Sequence, residues 1–128
     1  MHTKTLLAHK KLWLGLAVLW TSLIAVLCLV SFKKLPTVNL SEADKYVHSI
    51  FHLVFTLLWF GYLRLNTSKP IIKAFFLSLC YGIVIEIMQE VFTQTRQADL
   101  KDVAANSLGA LIAVLVVCLG QKYFRKSN

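Results

Sequence analysis

The sequence predicts an all-α integral membrane protein, a bundle of four transmembrane helices with both termini cytoplasmic. Three observations predict it. Of the 128 residues 57% are hydrophobic and only 16% charged, which lies outside the usual range of a soluble domain. The apolar residues are gathered into four long runs, expected at about residues 12–32, 43–63, 71–92 and 102–119 of a single membrane domain. Lysines and arginines are distributed unequally between the two sides that four spans would define.

The first run, Leu12 to Phe32, carries no charge for 21 residues. At about 1.5 Å rise per residue such a helix crosses a hydrocarbon core of roughly 30 Å. Lys4, Lys10 and Lys11 precede it as they would a signal peptide. The run is longer than a signal core of about 7–15 residues, however, and it ends in Ser-Phe-Lys-Lys-Leu-Pro with no pair of small residues to cleave after. It is expected to stay as an uncleaved first helix.

Lys33 to Leu40, with Pro36 and Asn39, reads as a short connection. Ser41-Glu42-Ala43-Asp44 then has a capping-box pattern, and the second helix runs from it to about Leu63. His48 and His52 interrupt that helix four residues apart, so they stack on one face with Asp44 and Lys45 one turn earlier. Arg64 to Pro70 is a polar turn, and Lys73 stands just inside the third helix, where its stem can snorkel. The third run is uncharged only from Ala74 to Ile85, and its far end bears Glu86, Gln89 and Glu90. Thr93 to Ala98 reads as a loop containing Arg96. Asp99 is placed to cap the fourth helix, with Asp102 in its first turn, where carboxylates suit the positive end of the helix dipole. Asn106 and Gly109 continue that face, Leu108 to Leu119 is wholly apolar, and a basic tail closes the chain.

Counting cations sets the orientation. Nine lysines and arginines fall on the side of the termini and the Arg64–Lys73 turn, against five on the other side. Both termini are therefore expected in the cytoplasm of a multi-pass protein of the cell (inner, cytoplasmic) membrane. All six acids, Glu42, Asp44, Glu86, Glu90, Asp99 and Asp102, fall on the non-cytoplasmic half. Acids contribute little to topology, so their one-sidedness points to a polar chamber at the outer face. Glu86 lies six residues inside its helix end, about 9 Å deep at helical rise. At that depth it and His52 should face the bundle interior rather than lipid.

Other readings are weaker. The net charge of +8 is dispersed among hydrophobic spans with no reading motif, so nucleic acid is not an expected partner. Cys28, Cys80 and Cys118 have no metal-like spacing and read as small buried hydrophobes. Trp13, Trp20, Trp59, Tyr62 and Tyr123 read as interface anchors.

The polar residues in this order resemble the VanZ-like membrane proteins, named after the teicoplanin-resistance protein VanZ. The likeness rests on Asp-Lys-x-x-His (Asp44, Lys45, His48) followed by Phe51, on Glu-x-x-Gln (Glu86, Gln89), and on Arg96, Asp99, Asp102, Asn106 and Gly109 at the spacing Arg-x-x-Asp-x-x-Asp-x-x-x-Asn-x-x-Gly. The loop Thr93 to Thr95 lacks the Pro-Gly often found before the arginine. The resemblance implies a small helical membrane protein of the bacterial cell envelope, linked through its namesake to tolerance of glycopeptide antibiotics. It implies no particular reaction, and whether the chain is an enzyme stays open.

The expected chamber set is Asp44, Lys45, His48, His52, Glu86, Gln89, Arg96, Asp99, Asp102 and Asn106. His48 and His52 read either as histidines satisfied by a helix carbonyl or a nearby acid, or as partners of Glu86 and Asp102 in a proton-handling or head-group-binding set. His48, Glu86 and Asp102 are the candidates for acid/base chemistry. Arg96 is a clamp on Asp99 or Glu90, or a reader of lipid phosphate or pyrophosphate beside Lys45. Asn106 and Gly109 read first as packing residues. A metal held by His48, Glu86 and Asp99 or Asp102 is chemically open, but no HExxH or other ligand spacing marks one, so neither metal nor cofactor is expected. The expected partners are membrane lipid and an anionic lipid-linked or cell-wall intermediate. A membrane scaffold, or a small solute or proton transporter using the same residues, is the alternative.

Overall fold

The computed structural model describes residues 2–30, 41–93 and 97–127. These form four α-helices, α1 (His2–Leu29), α2 (Ser41–Leu63), α3 (Pro70–Phe92) and α4 (Leu100–Ser127). Each is long and apolar enough to cross a membrane. The expected connection through Pro36 and Asn39, the side chains of the Ser41–Glu42 cap, and Arg96 lie outside the described residues.

The helix ends follow local chemistry. After α2 the bonds of Leu65 N to Tyr62 O and Asn66 N to Leu63 O skip back three residues instead of four, while Asn66 Nδ2 donates to Tyr62 O at 2.9 Å. Carbonyls that the helix leaves open are thereby satisfied. Lys69 turns the chain in the left-handed region at φ 52°. Pro70 then opens α3, where its missing N–H costs nothing. Asp99 caps α4 as expected, its Oδ1 accepting from Lys101 N at 2.8 Å and its carbonyl from Asp102 N at 3.0 Å.

α2 meets all three other helices and α3 likewise, whereas among the described residues α1 does not meet α4. The section is a lozenge with α2 and α3 across the short diagonal. The α2–α4 contact is the most extensive, and small residues make it so: Ala105, Gly109 and Ala113 recur every fourth residue and all are buried. A Cβ on Gly109 would overlap the main-chain carbonyl of Ser49. Side chains elsewhere on α4, such as Leu108, Leu111, Leu115 and Leu119, remain exposed at the hydrocarbon-facing surface.

α1 is fastened by a core of Ile24, Cys28, Phe55 and Ile85. Polar bonds add to it: Trp20 Nε1 donates to Phe51 O at 3.0 Å, Trp59 Nε1 to Thr21 Oγ1 at 3.1 Å, and the Tyr81 hydroxyl to Thr21 O. Trp20 and Trp59 thus join helices through their part-buried indole N–H groups, each of which finds an acceptor on a neighbouring helix. Trp13 lies against Gly61, with the Arg64 guanidinium 5.7 Å from its ring centroid. Only Cys28 of the three cysteines is buried; Cys80 and Cys118 are exposed on helix surfaces. In hydrocarbon an outward thiol meets apolar surroundings as an inward one does, so composition alone does not tell them apart.

Candidate functional site

Three stripes with a four-residue step converge at one end of the bundle. On α2 they are Asp44, His48, His52 and Thr56, on α3 Ser78, Gly82 and Glu86, and on α4 Asp102 and Asn106. A step of four keeps side chains on one helix face. Each stripe points into the bundle: His48, His52, Thr56, Ser78, Glu86 and Asn106 are all 2% exposed or less.

His48 is at the centre. Its Nδ1 lies 3.0 Å from Asn106 Oδ1 and 3.7 Å from Glu86 Oε1. Two oxygens facing one ring nitrogen place the proton on Nδ1. On the opposite side of the ring Nε2 faces Asp44 Oδ1 at 3.9 Å and makes no hydrogen bond. Glu86 also approaches the start of α4, where its Oε2 is 3.4 Å from the Asp99 amide. A carboxylate at this depth is thus offset from two directions, by the imidazole and by the positive end of a helix dipole.

His52 lies one turn further along α2. Its Nδ1 binds Ser78 Oγ at 2.8 Å, not Glu86 or Asp102. Ser78 was not among the residues the sequence suggested, although a hydroxyl at a four-residue step from Gly82 and Glu86 was a signal available to find it. Gly82 makes room for both systems: a Cβ there would stand 3.0 Å from Asn106 Nδ2 and 3.1 Å from His52 Cε1. Gln89 is buried but turns away from His48, its Nε2 donating to Cys28 O of α1 at 3.0 Å.

Lys45 belongs to a different surface. Together with Tyr46, Ser49, Lys101, Ala104, Ala105 and Leu108 it lines a groove of about 280 Å³ between α2 and α4. Lys101, on the same groove, was likewise missed by sequence reasoning. It is separated in sequence from every chamber helix but its own.

Asp44, His48 and Asp102 offer ligand atoms that all lie within 4.8 Å of one another. This grouping crosses from α2 to α4, so no linear ligand motif could have revealed it. It is also not the combination with Glu86 or Asp99 that the sequence left chemically open.

No curated protein and no solved structure matches the chain. The family model described as VanZ/LLP1 matches residues 8–121. That span takes in the buried acid–histidine centre, the groove and all of α2 and α3, and the chain is a member of the VanZ/LLP1 family.

Proposed function

We propose that this multi-pass membrane protein works in the bacterial cell envelope, binding an anionic lipid-linked or cell-wall intermediate at the polar end of its bundle. In this reading the polar end faces outward and both termini face the cytoplasm. The observation that carries the reading is the groove between α2 and α4. Lys45 and Lys101 supply positive charge to it, and Ala104, Ala105 and Leu108 supply an apolar lining. A lipid phosphate with its attached chain needs both. His48, Glu86 and Asp102 are the residues assigned to proton handling next to that groove, and Arg96 is assigned to the phosphate.

The test is lipid retention by the purified protein, followed by native mass spectrometry with a polyprenyl phosphate, phosphatidylglycerol and phosphatidylcholine. Each lysine near an anionic surface contributes about 1 kcal/mol. The double substitution Lys45→Ala, Lys101→Ala is therefore expected to weaken retention of the anionic lipids roughly thirtyfold. Equal retention of all three lipids by both proteins would refute the reading. In cells, alanine at Asp44, His48, Glu86, Arg96 or Asp102 should abolish an envelope phenotype, such as teicoplanin tolerance, at unchanged membrane levels.

One observation favours a second reading, a scaffold without chemistry. His48, Glu86 and Asn106 join α2, α3 and α4 through their own side chains, as a structural network would. Under that reading the same substitutions deplete the protein from the membrane.

A further inference from the structure

We propose that Asp44, His48 and Asp102 form a binding site for a divalent transition-metal cation. The inference stands on the geometry of these three residues and does not depend on the lipid reading.

His48 supplies the argument. Its side chain is 3% exposed, and its Nε2 is buried without a hydrogen-bond partner. The oxygens of Asn106 and Glu86 hold the proton on Nδ1, so Nε2 carries a lone pair. That lone pair points toward the Asp44 carboxylate, 3.9 Å away. A lone pair facing a carboxylate is repulsive unless a positive centre lies between them. The second carboxylate, Asp102, approaches from α4 with its oxygen within 4.8 Å of the other two ligand atoms.

The separations suit a metal. Donor atoms bound at about 2.0–2.2 Å to one ion stand roughly 3.0–4.4 Å apart. Asp44 and His48 already meet this, and a side-chain adjustment of a few tenths of an ångström brings in Asp102. The 3.0 Å hydrogen bond between His48 Nδ1 and Asn106 Oδ1 orients the imidazole through its far nitrogen, as the outer partner of a metal-binding histidine does, with the Glu86 carboxylate 3.7 Å from the same nitrogen. One neutral imidazole and two carboxylates match the charge of a divalent ion, and imidazole nitrogen favours zinc over magnesium or manganese. Three protein ligands leave further coordination positions for water or for an anionic oxygen.

The experiment uses the full chain purified in detergent and stripped with a chelator. Titration with Zn²⁺, Mn²⁺ and Mg²⁺ is followed calorimetrically, and Co²⁺ is added as a spectroscopic probe of the ligand field. Wild type is expected to bind one Zn²⁺ per chain and to show a Co²⁺ ligand-field band. His48→Gln and Asp102→Asn should each lose both signals, and Asn106→Ala, which removes the hydrogen-bond partner of His48 Nδ1, should weaken Zn²⁺ binding roughly 10- to 100-fold. His9→Ala, on the exposed part of α1, should bind as wild type does. The proposal fails if wild type takes up no Zn²⁺, if His9→Ala abolishes uptake, or if folded His48→Gln and Asp102→Asn proteins both bind as wild type does. Should His48→Gln not fold, the wild-type stoichiometry and Asp102→Asn decide.

Discussion

Gly109 of α4 lies against the main-chain carbonyl of Ser49 on α2, so closely that a Cβ at 109 would occupy the carbonyl's place. The obstacle is backbone, which cannot rotate aside, so the two helices would have to separate. Gly109→Ala gains about 1 kcal/mol of helix propensity but incurs overpacking of roughly 1–3 kcal/mol. Net destabilisation is expected. Gly120, with nothing within 4 Å of its would-be Cβ, is the control: Gly120→Ala should leave stability unchanged or raise it. Thermal unfolding in detergent checks both.

Ser78 is the hydrogen-bond partner of His52 inside the bundle. Ser78→Ala removes the hydroxyl and leaves a buried ring nitrogen unsatisfied, at a cost of about 1–3 kcal/mol. The double substitution Ser78→Ala, His52→Phe should recover part of that loss, since an apolar pair of similar shape leaves nothing unpaired. A double-mutant cycle on unfolding measures the coupling.

Gln89 links α3 to the Cys28 carbonyl, at the last turn of α1. Gln89→Leu keeps the volume and deletes the donor, so a loss of about 0.5–1.5 kcal/mol is expected. The effect should be local: amide hydrogen exchange should quicken near Cys28 while α4 stays protected.

Four crossings return the chain to its starting side. Reporter fusions at Met1 and at Asn128 should therefore give the same answer, and the nine-to-five distribution of cations predicts that it is cytoplasmic. An external C-terminal reporter would reverse the outward assignment of the acid–histidine end.

Much of this was legible in the sequence because of its spacing. Asp44, His48 and His52 recur every four residues, and Glu86 stands six residues inside the apolar third run, so convergence inside the bundle was to be expected, and Glu86 is indeed buried. Asp99, read from the sequence both as a cap and as a chamber residue, does cap α4. The pairing of one helix with another was not legible. A span in lipid is apolar on every face, so hydropathy does not tell which face of α3 turns toward α2. Hence His52 meets Ser78 and not a carboxylate, Trp20 and Trp59 turn inward, and Cys80 and Cys118 turn outward. The small residues carry the missing information: Gly82 and Gly109 mark where neighbours come closest.

α1 gives no side chain to the acid–histidine centre and does not meet α4 among the described residues. What it lends Tyr81 and Gln89 is main-chain carbonyl oxygen, from Thr21 and Cys28. Every residue type possesses that acceptor. Those two bonds of the first helix can therefore survive a change of residue type at either position, whereas the bonds that Trp20 and the Thr21 hydroxyl make through their side chains cannot. The remaining three helices must be inherited as one chemical unit.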